Sequence, residues 1–406
     1  MNANRIAALF LIFIGATAAW ITLGGAIHMR SSTSYEGLES QVAALWGAPQ
    51  KQSAPMLSVE ETIPPAKRGE ESRTVRHDLE PDSSDIVVNL RLDLRRKGLL
   101  WYRTYEVDFD ATYTVSHSYS RQPVLIAKAY LPSPRATYDD FLFSANGKEA
   151  VPSGDFSQGV VQRLPLPAGQ KATIRLRYSS RGMNTWSYSF GSQVSRVKNF
   201  TLTVNTDFDG FDFPTLSPTG KDKLDGGWKL VWQFKSVISP FEPAIEMPGK
   251  LNPGPLASRI SFFAPVGLLF FLAVMVIVGV VRDRNMHPMH YFFVSAAFFA
   301  FHLLFSYLVD HIEINLAFLI AALTSVLLAS TYLMRIAGPT FTLAIAAPSQ
   351  LLFLVLFSYA FFFKGYTGLT ITIGSIITLA ILMHATAKVD WERASAPQKD
   401  QPPPEG

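Results

Sequence analysis

Long apolar segments mark the beginning and the end of the chain. One apolar run covers residues 6–27, about the 20 residues that a helix needs to cross the hydrocarbon core of a bilayer. Five more runs of similar length follow toward the C-terminus, at 260–281, 291–309, 314–334, 341–363 and 369–385. The pattern predicts an N-terminal transmembrane anchor over residues 1–28 and a C-terminal transmembrane bundle of five helices over residues 259–386.

A cleaved signal peptide is the alternative interpretation of the first run. The small residues Gly24, Gly25 and Ala26 would permit cleavage, but the run is longer than the apolar part of a typical signal peptide. The length favours an uncleaved anchor.

The basic residues of the short connections indicate how the spans are oriented. Cytoplasmic loops carry an excess of Lys and Arg. One side holds Arg5, Arg282, Arg284, Arg335, Lys388 and Arg393, and the opposite side holds Lys364 together with Asp310 and Glu313. The sequence therefore predicts a multi-pass membrane protein. Both termini would be cytoplasmic, residues from about 29 to 258 periplasmic, and residues 387–406 a disordered cytoplasmic tail.

The segment between the first two spans divides into a polar part and a part with strand periodicity. Residues 29–84 are mostly polar, with many Pro, Glu, Ser, Lys and Arg residues toward the end. A segment without a sustained apolar period cannot bury a core, so we predict a polar tether there. From residue 85 onward apolar residues recur at every second position, as in 105–115. This period is typical of strands with one buried face.

Many short strands separated by turns predict a sandwich-like, all-β domain over residues 85–258. The predicted strands are 86–94, 105–115, 124–130, 141–143, 160–164, 172–178, 200–205 and 228–234. Asn146-Gly147 is a sequence typical of a tight hairpin turn. The predicted fold class is therefore an α+β membrane protein: an N-terminal transmembrane helix, an extracytoplasmic β domain and a C-terminal helical bundle.

Composition narrows the possible chemistry. The chain has 406 residues, a net charge of +4 and no cysteine. Without cysteine, disulfides, thiolate zinc sites and thiol nucleophiles are excluded. Lys and Arg are scattered rather than clustered, so no nucleic-acid partner is predicted. The sequence has no phosphate-binding loop, dinucleotide-binding glycine motif or nucleophile elbow, so neither a cofactor nor an enzyme class is predicted.

Ionisable residues gather where the third span ends. Asp310, His311 and Glu313 lie together in the sequence, and two carboxylates beside an imidazole can bind a divalent metal or relay a proton. A polar loop that caps two helices needs the same residue types. We favour the loop, because metal sites usually take ligands from more than one element.

Three histidines of the bundle are further candidates. His302 lies inside the third span, where ionisable groups are often functional, although a neutral histidine can simply hydrogen-bond between helices. His287 and His290 are weak candidate metal ligands, since Pro288 between them is typical of a helix start. No metal site is predicted. The spans contain no carboxylate, which argues against an ion-coupled transporter.

Several motifs of the C-terminal part resemble the CreD family of bacterial inner-membrane proteins. They are Met286-His287-Pro288-Met289-His290-Tyr291 at the start of the third span, Asp310-His311-Ile312 at its end, and Val389-Asp390-Trp391 after the sixth. The resemblance covers about residues 258–393 and implies that the membrane is the bacterial inner (cytoplasmic) membrane. It implies a link to envelope or cell-wall stress, seen as tolerance of β-lactams, colicins or detergents.

The resemblance implies a cellular process but no biochemical reaction. We expect a CreD-like protein that acts by binding or signalling rather than by catalysis. Its expected partners are the lipid bilayer and an envelope protein or cell-wall component. The alternative is a membrane-embedded enzyme or flippase-like protein acting on lipid-linked cell-wall material. In that case Asp310, His311, Glu313 and His302 would be the catalytic candidates.

Overall fold

The computed structural model describes residues 3–63, 72–98, 100–119, 121, 123–133, 136–151, 156–191, 196–282, 286–363 and 365–387. These residues form two compact units. The helical unit comprises Met1–Tyr35 and Leu251–Gly406, and the β unit comprises Glu36–Lys250. The predicted fold class is confirmed, because apolar helices precede and follow a sheet-rich domain in the chain.

Six helices among the described residues are long and apolar enough to cross a membrane. They are α1 (Ala3–Trp46), α2 (Pro253–Val281), α3 (Pro288–Leu308), α4 (Ile314–Ile336), α5 (Pro339–Phe362) and α6 (Thr367–Thr386). Proline near the first position of a helix removes an N–H that would otherwise lack a partner. Accordingly α2, α3 and α5 begin at Pro253, Pro288 and Pro339.

Helix α1 is longer than a single span requires. Its 44 residues correspond to roughly 66 Å of helix, about twice the thickness of the hydrocarbon core. The predicted anchor over residues 1–28 is therefore only the first part of this helix. Gly47 follows its last residue with a φ of 100°. A Cβ at Gly47 would lie 2.1 Å from the carbonyl oxygen of Arg181, so glycine is required there.

Helix α5 is not a regular α-helix. Two wide π-helical stretches, Thr342–Ala346 and Leu351–Leu356, flank the α-helical turn Ala347–Gln350. Pro348 within this turn has no N–H to donate to the helix ladder. Wide turns of this kind occur frequently at functional sites, and the turn between them carries the buried polar residue Gln350.

Close backbone contact and aromatic packing hold the helical unit together. Gly267 of α2 lies against α5, where a Cβ would come within 2.4 Å of the carbonyl oxygen of Phe353. Phe271 of α2 and Phe298 of α3 have ring centroids 4.6 Å apart. Small and aromatic residues at helix contacts are the usual solution in a membrane, where lipid tails are as apolar as the side chains.

The β unit is built from short strands. They are β1 (Gln50–Ser53), β2 (Met56–Ile63), β3 (Arg73–Leu79), β4 (Ser83–Leu92), β5 (Arg95–Lys97), β6 (Leu100–Tyr102), β7 (Thr104–Ser116), β8 (Val124–Ala129), β9 (Tyr138–Ala145), β10 (Lys148–Glu149), β11 (Val160–Pro165), β12 (Lys171–Met183), β13 (Thr185–Ser189), β14 (Val197–Thr206), β15 (Gly220–Leu224), β16 (Gly227–Val237) and β17 (Ala244–Glu246). A short 3-10 helix spans Phe156–Gln158. Each predicted strand overlaps one of these strands.

Four sheets result from the pairing of these strands. The largest has eight strands in the order β10-β9-β12-β7-β4-β14-β16-β15, in which β4 and β14 run parallel. The others have the orders β11-β8-β2-β3, β1-β13-β17 and β5-β6. Asn146 and Gly147, with φ of 48° and 76°, connect β9 to β10 and confirm the predicted hairpin turn.

One face of the eight-stranded sheet forms the core of the β unit. Along β7 every second side chain is fully buried, from Val107 to Val115, and the residues between them are half-buried. The ring of Phe109 stacks on that of Tyr178 in β12 at a centroid distance of 5.1 Å. The opposite face carries the polar residues of the same strands. The alternation seen in the sequence therefore separates a core face from an open face.

The predicted polar tether over residues 29–84 is wrong for the described residues. Residues up to Trp46 continue α1, and β1, β2 and β3 follow. Leu57 and Val59 of β2 are 2% and 0% exposed and belong to the core. The local composition is polar because β2 and β3 bury few side chains. What fixes them is pairing of β2 with the distant β8, which local periodicity does not reveal.

Some predictions fall outside the described residues. These are the Pro64-Pro65 part of the tether, the loop residues Arg284, Lys364, Lys388 and Arg393, the motif at 389–391, and the tail apart from Ala387. The orientation of the spans rests largely on those loop residues. It stays a prediction.

Candidate functional site

Asp310 makes an ion pair with helix α1. Arg30 Nη2 lies 2.9 Å from Asp310 Oδ2 and donates to the carbonyl oxygen of Ser306 over 3.1 Å. The guanidinium also lies 5.7 Å from the ring centroid of Tyr307. Arg30 thus fixes α1 at the end of α3. Both charged groups are partly exposed, so the pair contributes about 0–1 kcal/mol to stability.

Glu313 caps the first turn of α4. Its carboxylate accepts hydrogen bonds from the backbone N–H groups of Asn315 and Leu316 at 2.9 and 3.0 Å, as an N-cap residue does. Burial raises the pKa of the Glu313 carboxyl, but these hydrogen bonds outweigh it, and the pKa lies below its ordinary value. The carboxylate oxygens are already engaged by the helix that follows.

His311 is exposed between these two residues. Its side chain has no hydrogen-bond partner among the described residues. The predicted cluster therefore consists of an ion pair to α1, a free imidazole and a helix cap. The sequence favoured a helix-capping loop for these three residues, and a catalytic role belongs only to the alternative prediction of an enzyme.

His302 lies inside the helical unit and is 1% exposed. Its Nδ1 lies 3.1 Å from the carbonyl oxygen of Phe298, one turn earlier in α3. Its ring contacts that of Trp20 from α1, with centroids 5.4 Å apart and planes at 79°. The sequence predicted His302 as a candidate but gave no sign of Trp20, because the two residues are far apart in the chain.

His287 and His290 have separate structural contacts. His287 precedes α3, and its Nδ1 accepts a hydrogen bond from the backbone N–H of Met289 at 3.3 Å. His290 Nδ1 lies 2.9 Å from the hydroxyl of Tyr332. The described residues include no group of three or more His, Asp or Glu side chains that could hold a metal ion.

A polar network crosses the bundle at the irregular helix α5. Gln350, which is buried, donates through Nε2 to Ser325 Oγ of α4 at 3.0 Å. Ser325 Oγ in turn donates to the carbonyl oxygen of Ala297 in α3 at 2.6 Å. Gln350 lies at the end of the turn between the two wide stretches. A glutamine within an apolar run was the available sequence signal, and our sequence analysis did not use it.

The β unit contains a polar cavity of about 290 Å³. Its floor is the open face of the eight-stranded sheet, with Arg91, Glu106, Asp108 and Arg181. The remaining sides are lined by residues 44–47, where α1 ends, and by Ala136, Thr137 and Asp139. Because α1 covers one side, the cavity exists only where this helix meets the sheet. Sequence analysis missed it, since its residues are the outward positions of separate strands.

Ion pairs hold the charged side chains of this cavity in place. Arg91 Nη1 lies 2.5 Å from Asp108 Oδ2, and Arg91 Nη2 lies 3.5 Å from Glu106 Oε2. Arg181 Nε lies 3.5 Å from Glu106 Oε1. Its guanidinium also lies 5.0 Å from the ring centroid of Trp46, a cation–π contact. The cavity therefore presents positive, negative and aromatic groups in a fixed arrangement.

These contacts shift the pKa values of Arg91 and Asp108 in opposite directions. Its hydrogen bond to Asp108 raises the pKa of the Arg91 guanidinium above the ordinary value. Burial raises the pKa of the Asp108 carboxyl, but hydrogen bonds from Arg91 and from Ser179 outweigh it and lower the pKa. Both groups are therefore charged at neutral pH. Arg91 and Asp108 thus suit electrostatic contact with a polar ligand better than proton transfer, which needs a group that titrates near neutral pH.

A comparison with protein-family models found one match, in the helical part of the chain. Residues 256–392 match the family model described as inner membrane protein CreD. The match covers the helices from α2 to α6 and confirms the resemblance found in the sequence. No curated protein matches the chain.

Some solved structures are similar over part of the chain. A Legionella pneumophila protein whose name assigns it to nutrient binding has 12% identity and a TM-score of 0.32, covering 56% of this chain and 77% of its own. A two-domain M1 zinc metallopeptidase bound to L-arginine has 15% identity and a TM-score of 0.28. An M1 zinc metallopeptidase from Deinococcus radiodurans has 16% identity and a TM-score of 0.25. The chain spans 42% of either metallopeptidase. These likenesses carry no argument about function.

Proposed function

We propose that this chain is a CreD-like inner membrane protein that acts in the envelope stress response by binding a cell-wall component, and the match of residues 256–392 to the family model described as inner membrane protein CreD supports this proposal. The β unit would lie in the periplasm and hold the ligand, and the six helices would anchor it in the membrane. Binding would change the tolerance of the cell to β-lactams, colicins or detergents.

The polar cavity of the β unit is the observation that carries this proposal. A volume of about 290 Å³ admits a small polar molecule or one end of a larger one, at the low end of ordinary ligand sites. Arg181, whose ion-pair distance to Glu106 is 3.5 Å, suits a carboxylate of a wall peptide better than Arg91, which is tightly paired with Asp108, and Trp46 adds an aromatic ring to the lining. Cell-wall glycopeptides combine charged and sugar groups, so a cavity with both kinds of contact fits that class of ligand.

Binding is favoured over catalysis by the contacts of the candidate catalytic residues. Asp310 is paired with Arg30, and Glu313 holds the start of α4. A general acid or base must reach a substrate with a free proton-transfer site. Among Asp310, His311 and Glu313, only His311 has a side chain free of hydrogen bonds to the described residues. A single exposed imidazole does not form a catalytic site by itself.

Complementation tests this proposal. Cells lacking the gene are challenged with a β-lactam and with a membrane-active agent, and receive the wild type or a variant. Arg181→Gln removes a charge from the cavity. Arg177→Gln is the matched control, because Arg177 is exposed on the same strand and lies outside the cavity lining. Equal membrane levels are verified by immunoblot.

We expect Arg177→Gln and His311→Ala to restore tolerance and Arg181→Gln to fail. Equal restoration by all three variants would exclude the cavity from the function. Failure of His311→Ala alone would instead support the second candidate, a membrane-embedded enzyme or flippase-like protein acting on lipid-linked wall material. The polar residues inside the bundle, His302 and Gln350, are the observation that keeps this candidate open.

A further inference from the structure

Two polar atoms inside the helical unit lack hydrogen-bond partners although their residues touch. Trp20 of α1 is 0% exposed and His302 of α3 is 1% exposed. Neither Trp20 Nε1 nor His302 Nε2 has a partner among the described residues. Their rings meet edge to face with centroids 5.4 Å apart. A buried polar group without a partner costs about 1–3 kcal/mol, so two of them in contact call for an explanation.

The two atoms have complementary roles. The carbonyl oxygen of Phe298 can only accept a hydrogen bond, and His302 Nδ1 lies 3.1 Å from it, so Nδ1 carries the proton. In a neutral imidazole Nε2 is then an acceptor. The indole Nε1–H of Trp20 can only donate. One side of the contact therefore offers a donor and the other an acceptor.

The surroundings of the pair are aromatic. Phe299 lies 5.8 Å from Trp20 and Phe301 lies 4.8 Å from His302, measured between ring centroids. These rings supply neither a donor for His302 nor an acceptor for Trp20. A molecule that hydrogen-bonds to both Trp20 Nε1 and His302 Nε2 must accept one hydrogen bond and donate another, as a hydroxyl group does. Since both residues are buried, the bound molecule must be small.

We propose that one water molecule binds between Trp20 and His302 and links α1 to α3. The water accepts from Trp20 Nε1–H and donates to His302 Nε2. Buried waters commonly serve groups that would otherwise be unsatisfied. In a membrane, where apolar contact alone does not specify how helices dock, such a polar link fixes one helix against another.

The link has neighbours that act on the same helix. Ser258 Oγ of α2 donates to the carbonyl oxygen of Gly24 at 2.9 Å, one turn beyond Trp20. Arg30 adds its pair with Asp310 at the end of α3. The water site, at Trp20, is the first of these three contacts along α1. Together the three contacts hold α1 against α2 and α3.

A double-mutant cycle on the full chain in detergent tests the site. The variants are Trp20→Phe, His302→Phe and the two together, with the unfolding midpoint as the readout. Each single change removes one of the two hydrogen bonds of the water and so breaks the link between α1 and α3. We expect each to shift the unfolding equilibrium by about threefold to about fifteenfold, the range of polar links between membrane helices. The double variant removes both polar atoms and should be more stable than additivity of the single changes predicts.

The opposite result overturns the proposal. If nothing links the two atoms, each single change costs only the packing lost at Trp20 or the Nδ1 hydrogen bond lost at His302. The effects would then add in the double variant. His384→Phe is the matched control, because His384 makes the same contact with a carbonyl four residues earlier but is exposed. Its midpoint should equal that of the wild type.

A second measurement decides the matter if a single variant fails to accumulate. Electron cryomicroscopy of the wild-type chain should show density for one water within hydrogen-bond distance of both nitrogen atoms. Continuous contact between the two rings, with no density between the nitrogens, would contradict the proposal.

Discussion

Truncation of Leu57 to alanine tests whether the polar segment before residue 85 belongs to the β unit. Leu57 is 2% exposed and lies opposite Leu79 of β3 and Ala127 of β8. Replacing a buried leucine by alanine costs about 2–5 kcal/mol, because apolar contacts are lost and a cavity remains. For a unit of this size each kcal/mol shifts the unfolding midpoint by about 2–4 °C. Leu57→Ala should therefore lower the midpoint by about 4–20 °C.

The assay is thermal unfolding of the full chain in detergent, followed by tryptophan fluorescence. Trp186 and Trp232 are buried in the β unit and report on its core. Thr74→Ala on the exposed side of β3 is the control, since surface substitutions change stability by about 0.5 kcal/mol or less. If residues 29–84 were a flexible tether, Leu57→Ala and Thr74→Ala would have the same unfolding midpoint. If Leu57→Ala leaves the midpoint at the value of the wild type, β2 contributes nothing to the core and our account of this segment is wrong.

Two further predictions concern the helical unit. Glu313→Ala should cost about 0.5–2 kcal/mol through loss of the helix cap, whereas Glu313→Asp should retain most of it. Because the pKa of Glu313 is lowered from 4.5, the stabilisation is present above that value and lost as the pH falls through the lower pKa of the folded state. The difference in midpoint between the wild type and Glu313→Ala should thus close in acid, and a difference that persists would contradict the cap. Gly267→Ala should destabilise the bundle, because its Cβ would lie 2.4 Å from the carbonyl oxygen of Phe353. Gly15→Ala, with open space around it, should leave thermal stability unchanged or raise it slightly; equal midpoints for the two alanine variants would refute the close approach.

The sequence predicted the elements that are encoded locally. An apolar run of about 20 residues allows only a few structures, so the six long apolar helices among the described residues were predicted. Period-two alternation located the main strands. The irregular course of α5 was not predicted, although Pro348 and Gln350 were visible. Proline in a membrane helix can be accommodated in several ways, and the choice depends on neighbours such as Gly267.

Features that depend on distant pairing were missed. Polar residues such as Gln50 and Gln52 in β1 are buried because their side chains hydrogen-bond to Arg181 and Tyr130, far along the chain. The same holds for the candidate sites. Asp310 and His302 were found as ionisable groups in unusual places, but their partners Arg30 and Trp20 come from α1. No spacing rule connects residues that are almost 300 positions apart.

The most direct test of the central claim is the binding of soluble cell-wall glycopeptide fragments to the purified full-length chain. Calorimetry would compare the wild type with Arg181→Gln and with the control Arg177→Gln. Our account predicts binding by the wild type and by Arg177→Gln, and affinity at least about tenfold weaker for Arg181→Gln, as expected for loss of a charge-assisted hydrogen bond of about 1.5–3 kcal/mol. Equal affinities for all three proteins, or no binding by the wild type, would contradict the proposal that the cavity of the β unit is the binding site for a cell-wall component.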